Sequence, residues 1–230
     1  MKLLDSLSER FGLNAYALGR FERAEKWFRR LEKTEPDSVR VLRNLGVIRL
    51  ACGDLPGAES FLKREEELYG ESWARHRALA DLAYASGKRE EAARRYAAAL
   101  SDRDAAYADG PEFAFIRARL ALCRDEATFA PTRTGAKRFA AGEAARENGD
   151  QETALAAFLE AAELDGTNWP AVNNAGVILL ARSGGAAEAL ELFRKAAACA
   201  RIPMIERNIA LARDAVARDA VAGEAVRSIK

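Results

Sequence analysis

Histidine is almost missing from this 230-residue chain, which holds one histidine, three cysteines, three tryptophans and six prolines. Each shortage closes off some chemistry. A lone His76 leaves imidazole-based catalysis and metal binding without a second imidazole. Cys52, Cys123 and Cys199 are far apart, odd in number and free of CxxC spacing. They are expected to be small buried apolar residues in a reducing compartment, not a disulfide framework. No stretch reaches the roughly 18 consecutive apolar residues of a membrane span. The start, MKLLDSLSERF, lacks the apolar centre of a signal peptide. GxGxxG, phosphate-loop, GxSxG and HExxH patterns are missing as well. The expectation is therefore a protein without catalytic site, metal or cofactor, and the free cysteines favour the cytoplasm.

Charge of one sign is also lacking. The 36 basic and 35 acidic residues nearly cancel, and the balance persists along the chain, which argues against nucleic acid as a partner. Aromatic and β-branched residues are too thinly spread for a sheet. Alanine, leucine, glutamate and arginine dominate; these are strong helix formers. With 49% hydrophobic residues the chain can bury a core, and an all-α fold follows.

Internal repetition is the main positive signal. Gly19, Gly53 and Gly87 lie 34 residues apart; Ala24, Ala58 and Ala92 follow each glycine by five residues, and Phe28, Leu62 and Tyr96 come four later. Pro36 and Gly70 share the same 34-residue interval. A glycine can close one helix in a left-handed turn. The alanine lets two helices cross closely, and the large residue one turn later fills the gap beside it. The proline or glycine ends the second helix. The pattern returns at Gly149, Ala154, Phe158 and Ala161, in a unit expected to start near Gly135. A further unit starts at Trp169, with Gly176, Ala189, Phe193 and Ala196. Its second helix is displaced by one residue, so the turn around Gly184 and Gly185 is expected to be longer.

Between the blocks, Asp109-Gly110-Pro111 should break the chain. Phe113, Ile116, Leu120 and Cys123 then fall at helical spacing, and Pro131 carries helix-stopping chemistry. The organisation expected is a three-repeat block over 1–104, a degenerate or linking helical unit over 105–134, a two-repeat block over 135–202 and a capping helix over 203–230. Arg207, Arg213, Asp214, Arg218 and Asp219 give that cap a polar outer face.

The register resembles tetratricopeptide repeats, helix–turn–helix units of 34 residues. Position 1 falls at Asp5, Val39 and Trp73, and the family's Leu-Gly pair at Phe11-Gly12, Leu45-Gly46 and Leu79-Ala80. The family's first-helix tryptophan is replaced by Ser8, Leu42 and His76, and its later tyrosine by Ala15, Arg49 and Ala83. Trp73 and Trp169 open units and are expected to pack on the preceding second helix; Trp27 is expected on the outer face. The resemblance implies a right-handed α-solenoid of antiparallel helix pairs, with about five repeats, whose first helices line a concave groove. Its implied function is a non-catalytic protein–protein interaction scaffold that binds a peptide or helix there. The alternative is a structural subunit of an assembly, through self-association or its convex face.

On that implied groove, positions 2, 5, 6, 9 and 12 give Tyr16, Arg40, Arg43, Asn44, Val47, Arg77, Asp81 and Tyr84 in the first block. In the second they give Phe139, Glu143, Asn173, Asn174, Val177 and Leu180, with Arg207 and Asn208 from the cap. The arginines can receive a carboxylate in bidentate fashion, or simply be solvated among neighbouring glutamates. Asn44, Asn174 and Asn208 at position 6 are similar to the asparagine ladder of O-linked N-acetylglucosamine transferase repeats, whose amides grip an extended peptide; hydrogen bonding within the scaffold is the other reading. Phe139 and Leu180 fit a groove wall or a core. Asn44 matches the second-repeat asparagine of the clamp in chaperone-binding repeats, but Glu9, Leu13, Ala74 and Ala78 stand at its other places, which argues against a chaperone-tail receptor.

Overall fold

The computed structural model describes residues 2–101 and 110–227. Among them there are twelve α-helices and no strand. They fall in two compact units, Met1–Glu126 and Ala127–Lys230. The first unit runs α1 (Lys2–Ala17), α2 (Phe21–Glu32), α3 (Val39–Ala51), α4 (Leu55–Tyr69), α5 (Trp73–Ala85), α6 (Arg89–Ser101) and α7 (Pro111–Leu122). In the second, α8 (Glu126–Glu147) leads into α9 (Gln151–Leu164), α10 (Trp169–Leu180), α11 (Ala186–Cys199) and α12 (Pro203–Arg227).

The hairpin α3–α4 shows how local sequence makes the unit. Gly53 turns the chain at φ 77°, and Asp54 N–H donates to Arg49 O at 3.0 Å, capping the open carbonyls of α3. The Asp54 carboxylate then accepts the Gly57 N–H at 3.0 Å and starts α4. Gly19, Gly87 and Gly149 turn with the same left-handed φ. Ser38 and Ser72 cap α3 and α5 by accepting from Val41 and Arg75. Asp150 and Asn168 do so for α9 and α10.

Each hairpin closes on one side-chain pair. A Cβ at Gly12 would lie 2.7 Å from the Phe28 ring; at Gly46, 2.6 Å from Leu62; at Gly142, 2.7 Å from Phe158; and at Gly176, 2.7 Å from Phe193. Ala80 holds the matching place for Tyr96, and neither has exposed surface. Ala24, Ala58, Ala92, Ala154 and Ala189, at the helix crossings, are fully buried too. The longer turn expected between α10 and α11 is present, with Gly184 at φ 76° one residue beyond the usual place.

Several expectations need correcting. Pro131 does not stop a helix: it lies inside α8, which begins at Glu126 and not near Gly135. Proline forfeits one backbone bond there. Phe129 (0% exposed) and Thr132, whose hydroxyl donates to Phe129 O at 2.7 Å, fix the turn around it. Of the cysteines only Cys123 is buried; Cys52 is exposed and Cys199 intermediate. Cys52 sits at the C-cap of α3. Trp73 pairs with Phe113 of α7, ring centroids 5.8 Å apart. Asp109 and residues 228–230 lie outside the described residues. α12 buries Ile205, Ile209 and Ala212 against the second unit and exposes Arg213, Asp214, Arg218 and Asp219. No described helix is long and apolar enough to cross a membrane.

Candidate functional site

The first helices α1, α3 and α5 carry the candidate residues of the first unit, and most of them are held by the chain itself. Arg40 joins Glu35 and Glu9 at 2.6 Å each, which ties α3 to α1. Hydrogen bonding to Glu35, with Glu9 nearby, pushes its guanidinium up from the ordinary arginine value. Asn44 turns its amide onto Arg40 O at 2.6 Å. Arg43 pairs with Glu65 of α4, a carboxylate with no exposed surface. Arg77 contacts Asp81 at 3.8 Å and also Glu112 of α7. Val47 is half-buried.

Asp81 is the centre of a polar cluster. It accepts the hydroxyl of fully buried Tyr96 at 2.6 Å and Arg119 of α7 at 2.8 Å. The Arg119 guanidinium lies 4.4 Å from the ring centres of Tyr84 and Phe115. Tyr84 is therefore buried (8% exposed) and lines a packed junction. Tyr16 of α1 packs beside Phe21, and burial pushes its phenol up, with Arg77 opposing and Asp81 reinforcing. α1 and α5 thus present these groups to a common region across α3. Arg119 and Glu65 were not singled out in the sequence, and Glu9 entered only as a departure from the chaperone-binding clamp. For Glu65 a signal existed, because Leu31 and Ala99 occupy its place in the neighbouring repeats and both are fully buried.

In the second unit an amide chain links three first helices. Asn208 of α12 donates to Asn173 Oδ1 at 2.8 Å; Asn173 of α10, 2% exposed, donates to Asn174 at 3.4 Å; Asn174 donates to Glu143 of α8 at 2.8 Å. Glu143 also holds Arg146, at 2.7 Å. Val177, one turn beyond Asn173 and Asn174, is 47% exposed. Phe139 is half-buried and packs on Phe158 (5.6 Å), so it belongs mainly to the core. Arg207 is exposed, and Leu180 half-buried against the core cluster.

Glu66, Glu71 and His76 bring ligand atoms within 4.8 Å of one another. Arg95 already holds Glu66 Oε2 at 2.9 Å and stands 3.4 Å from His76 Nδ1. The guanidinium supplies the positive charge a metal would bring.

Antiparallel helix pairs, closed by a left-handed glycine and a small residue against a large one, define a helical-hairpin repeat protein. Residues 10–72 match the family model described as tetratricopeptide repeat. That stretch, covering α2, α3, α4 and part of α1, is thus built of tetratricopeptide repeats. No curated protein matches it. Among solved structures it is similar to the pilF protein of Pseudomonas aeruginosa, at 16% identity and a TM-score of 0.45, over 98% of this chain and 90% of that one. MamA is similar at 17% identity and a TM-score of 0.40, over 86% and 92%. YrrB, described as having an unusual peptide-binding site, is similar at 16% and 0.42, over 90% and 89%.

Proposed function

We propose that the chain is a non-catalytic scaffold that holds a peptide or helix of a partner protein along its first helices, chiefly in the second unit. The row Asn208, Asn173, Asn174 beside exposed Val177 supports this reading best. A primary amide offers two donors and an acceptor, and Asn174 and Asn208 are only half-buried. Their remaining capacity suits the backbone of an extended peptide, and Val177 suits one apolar side chain of it. In the first unit Arg40, Arg43 and Arg77 already hold the chain's own carboxylates. An acidic ligand there would have to displace them.

The test is a selection of displayed random peptides on the full chain, followed by fluorescence anisotropy with the recovered sequence. Val177→Glu and Asn174→Ala/Asn208→Ala should each weaken binding by about tenfold or more. Unchanged affinity in both variants would reject the second-unit site. Light scattering over a dilution series addresses the rival, a self-associating structural subunit: a mass that stays monomeric at all concentrations rules it out.

A further inference from the structure

At four junctions the repeat buries the same two places of its incoming helix. The third and seventh residues of α3 are Val41 and Leu45, of α10 Ala171 and Ala175, and all four have no exposed surface. In α12 they are Ile205 and Ile209, 0% and 8% exposed; in α5 they are Arg75, laid on Glu65, and Leu79 at 4%. Each is covered by the second helix of the hairpin before it. In α1 the same register places are Leu7 and Phe11, and they are 39% and 47% exposed, with Leu4 beside them at 68%. α1 thus keeps the apolar pattern of a covered helix.

The stripe continues onto α2, where the Trp27 ring lies 5.2 Å from that of Phe11. Around it the charge is one-sided. Arg23 and Arg30 flank Trp27 at helical spacing, and Arg10 borders Phe11; all three are exposed, and none has a carboxylate within ion-pair reach among the described residues. Arg30 lies instead over the Trp27 ring at 5.6 Å. Nearby Glu25 is engaged with Arg29 and Arg49, and Glu9 with Arg40.

We infer that the α1–α2 edge receives an amphipathic helix of a partner protein, one with glutamates or aspartates beside its apolar stripe. The apolar pattern asks for what covers it elsewhere in this chain, a helix. The unpaired arginines specify that helix's flanks. A second copy presenting the same edge would set Arg10, Arg23 and Arg30 against their own kind, which opposes a symmetric dimer. This surface is separate from the first-helix face of the second unit, so either reading can fail alone.

The experiment uses the full chain and two helix-stabilised peptides of about four turns with one leucine stripe, flanked by glutamate in one and lysine in the other. Amide and indole shifts in two-dimensional NMR locate binding, and anisotropy gives affinity. The glutamate peptide should bind about tenfold or more tightly than the lysine one, shifting Leu7, Phe11 and the Trp27 indole. Arg23→Glu/Arg30→Glu should reverse the preference, and Phe11→Ser should abolish binding of both. No binding, or equal binding of the two peptides, overturns the inference. So does co-sedimentation with phosphatidylserine vesicles that exceeds peptide binding and vanishes in Phe11→Ser, which assigns the edge to a membrane surface. Concentration-dependent self-association that vanishes in the same variant assigns it to a second copy, and overturns it too.

Discussion

Arg75 of α5 reaches back 3.3 Å to Glu65 of α4, a carboxylate with no exposed surface, and Arg43 of α3 closes on the same oxygen from the other side. One acid thus fastens two arginines on successive first helices, while its other oxygen is buried without a hydrogen-bond partner among the described residues. Removing both cations, in Arg43→Met/Arg75→Met, should lower stability by about 3–5 kcal/mol, because an uncompensated buried charge remains. Adding Glu65→Leu, the residue type that Leu31 supplies in the preceding repeat, should recover most of it. Urea denaturation of the three proteins checks both statements, and failure of Glu65→Leu to rescue would contradict the burial argument.

Gly176 is pressed by Phe193, where an added Cβ would lie 2.7 Å from the ring. Gly176→Ala should therefore destabilise by about 1–3 kcal/mol, despite alanine's better helix propensity. Gly176→Ala/Phe193→Leu should recover part of that loss. Gly53→Ala has open space around it but a φ of 77°. It should lose about 1 kcal/mol through backbone strain alone, and no partner substitution should repair it. Thermal unfolding separates the two kinds of loss.

The hairpins were legible because their signals are local: a glycine at the turn, an alanine at the crossing, a large residue one turn later. Those places read from sequence at Ala24, Phe28, Ala154 and Phe193 are fully buried. Pro131 misled because propensity ranks residues for an isolated helix, whereas Phe129 and Thr132 hold this one by tertiary contact. The arginine face was legible as charge but not as pairing. Glu9, Glu35, Glu65 and Glu112 reach Arg40, Arg43 and Arg77 from other helices or the preceding loop, and sequence spacing does not encode those distances.

The phenol of Tyr96 is held by Asp81 inside the α5–α6 hairpin. Burial pushes it well above the ordinary tyrosine range, with Arg119 opposing and Asp81 reinforcing. The unfolded chain releases this proton near pH 10, whereas the folded chain retains it. Stability should accordingly fall as pH rises above about 10. Tyr96→Phe should lower stability at pH 7 by about 1.5 kcal/mol and flatten that alkaline decline. Urea unfolding from pH 7 to 11 checks the sign.

At the acid end the helix caps respond in the opposite sense. Asp54 is held below the ordinary aspartate range by the Gly57 N–H first and Arg49 second, and Asp150 by Thr153. Their stabilisation is present above about pH 4 and is lost as pH falls below it. Asp54→Asn/Asp150→Asn should keep both caps in form while making the Tm between pH 5 and 3 less pH-dependent than that of the parent chain. An identical slope would mean these two carboxylates do not contribute to acid sensitivity.

Gly176 and Phe193 are separated by one residue more than Gly142 and Phe158, yet the two pairs meet alike. The extra length is taken up at Gly184 and Gly185 before α11 begins. What is inherited from hairpin to hairpin is thus a contact and not an interval along the chain. Insertions at such turns are tolerated without repacking, whereas one inside either helix would rotate the small residue away from its ring.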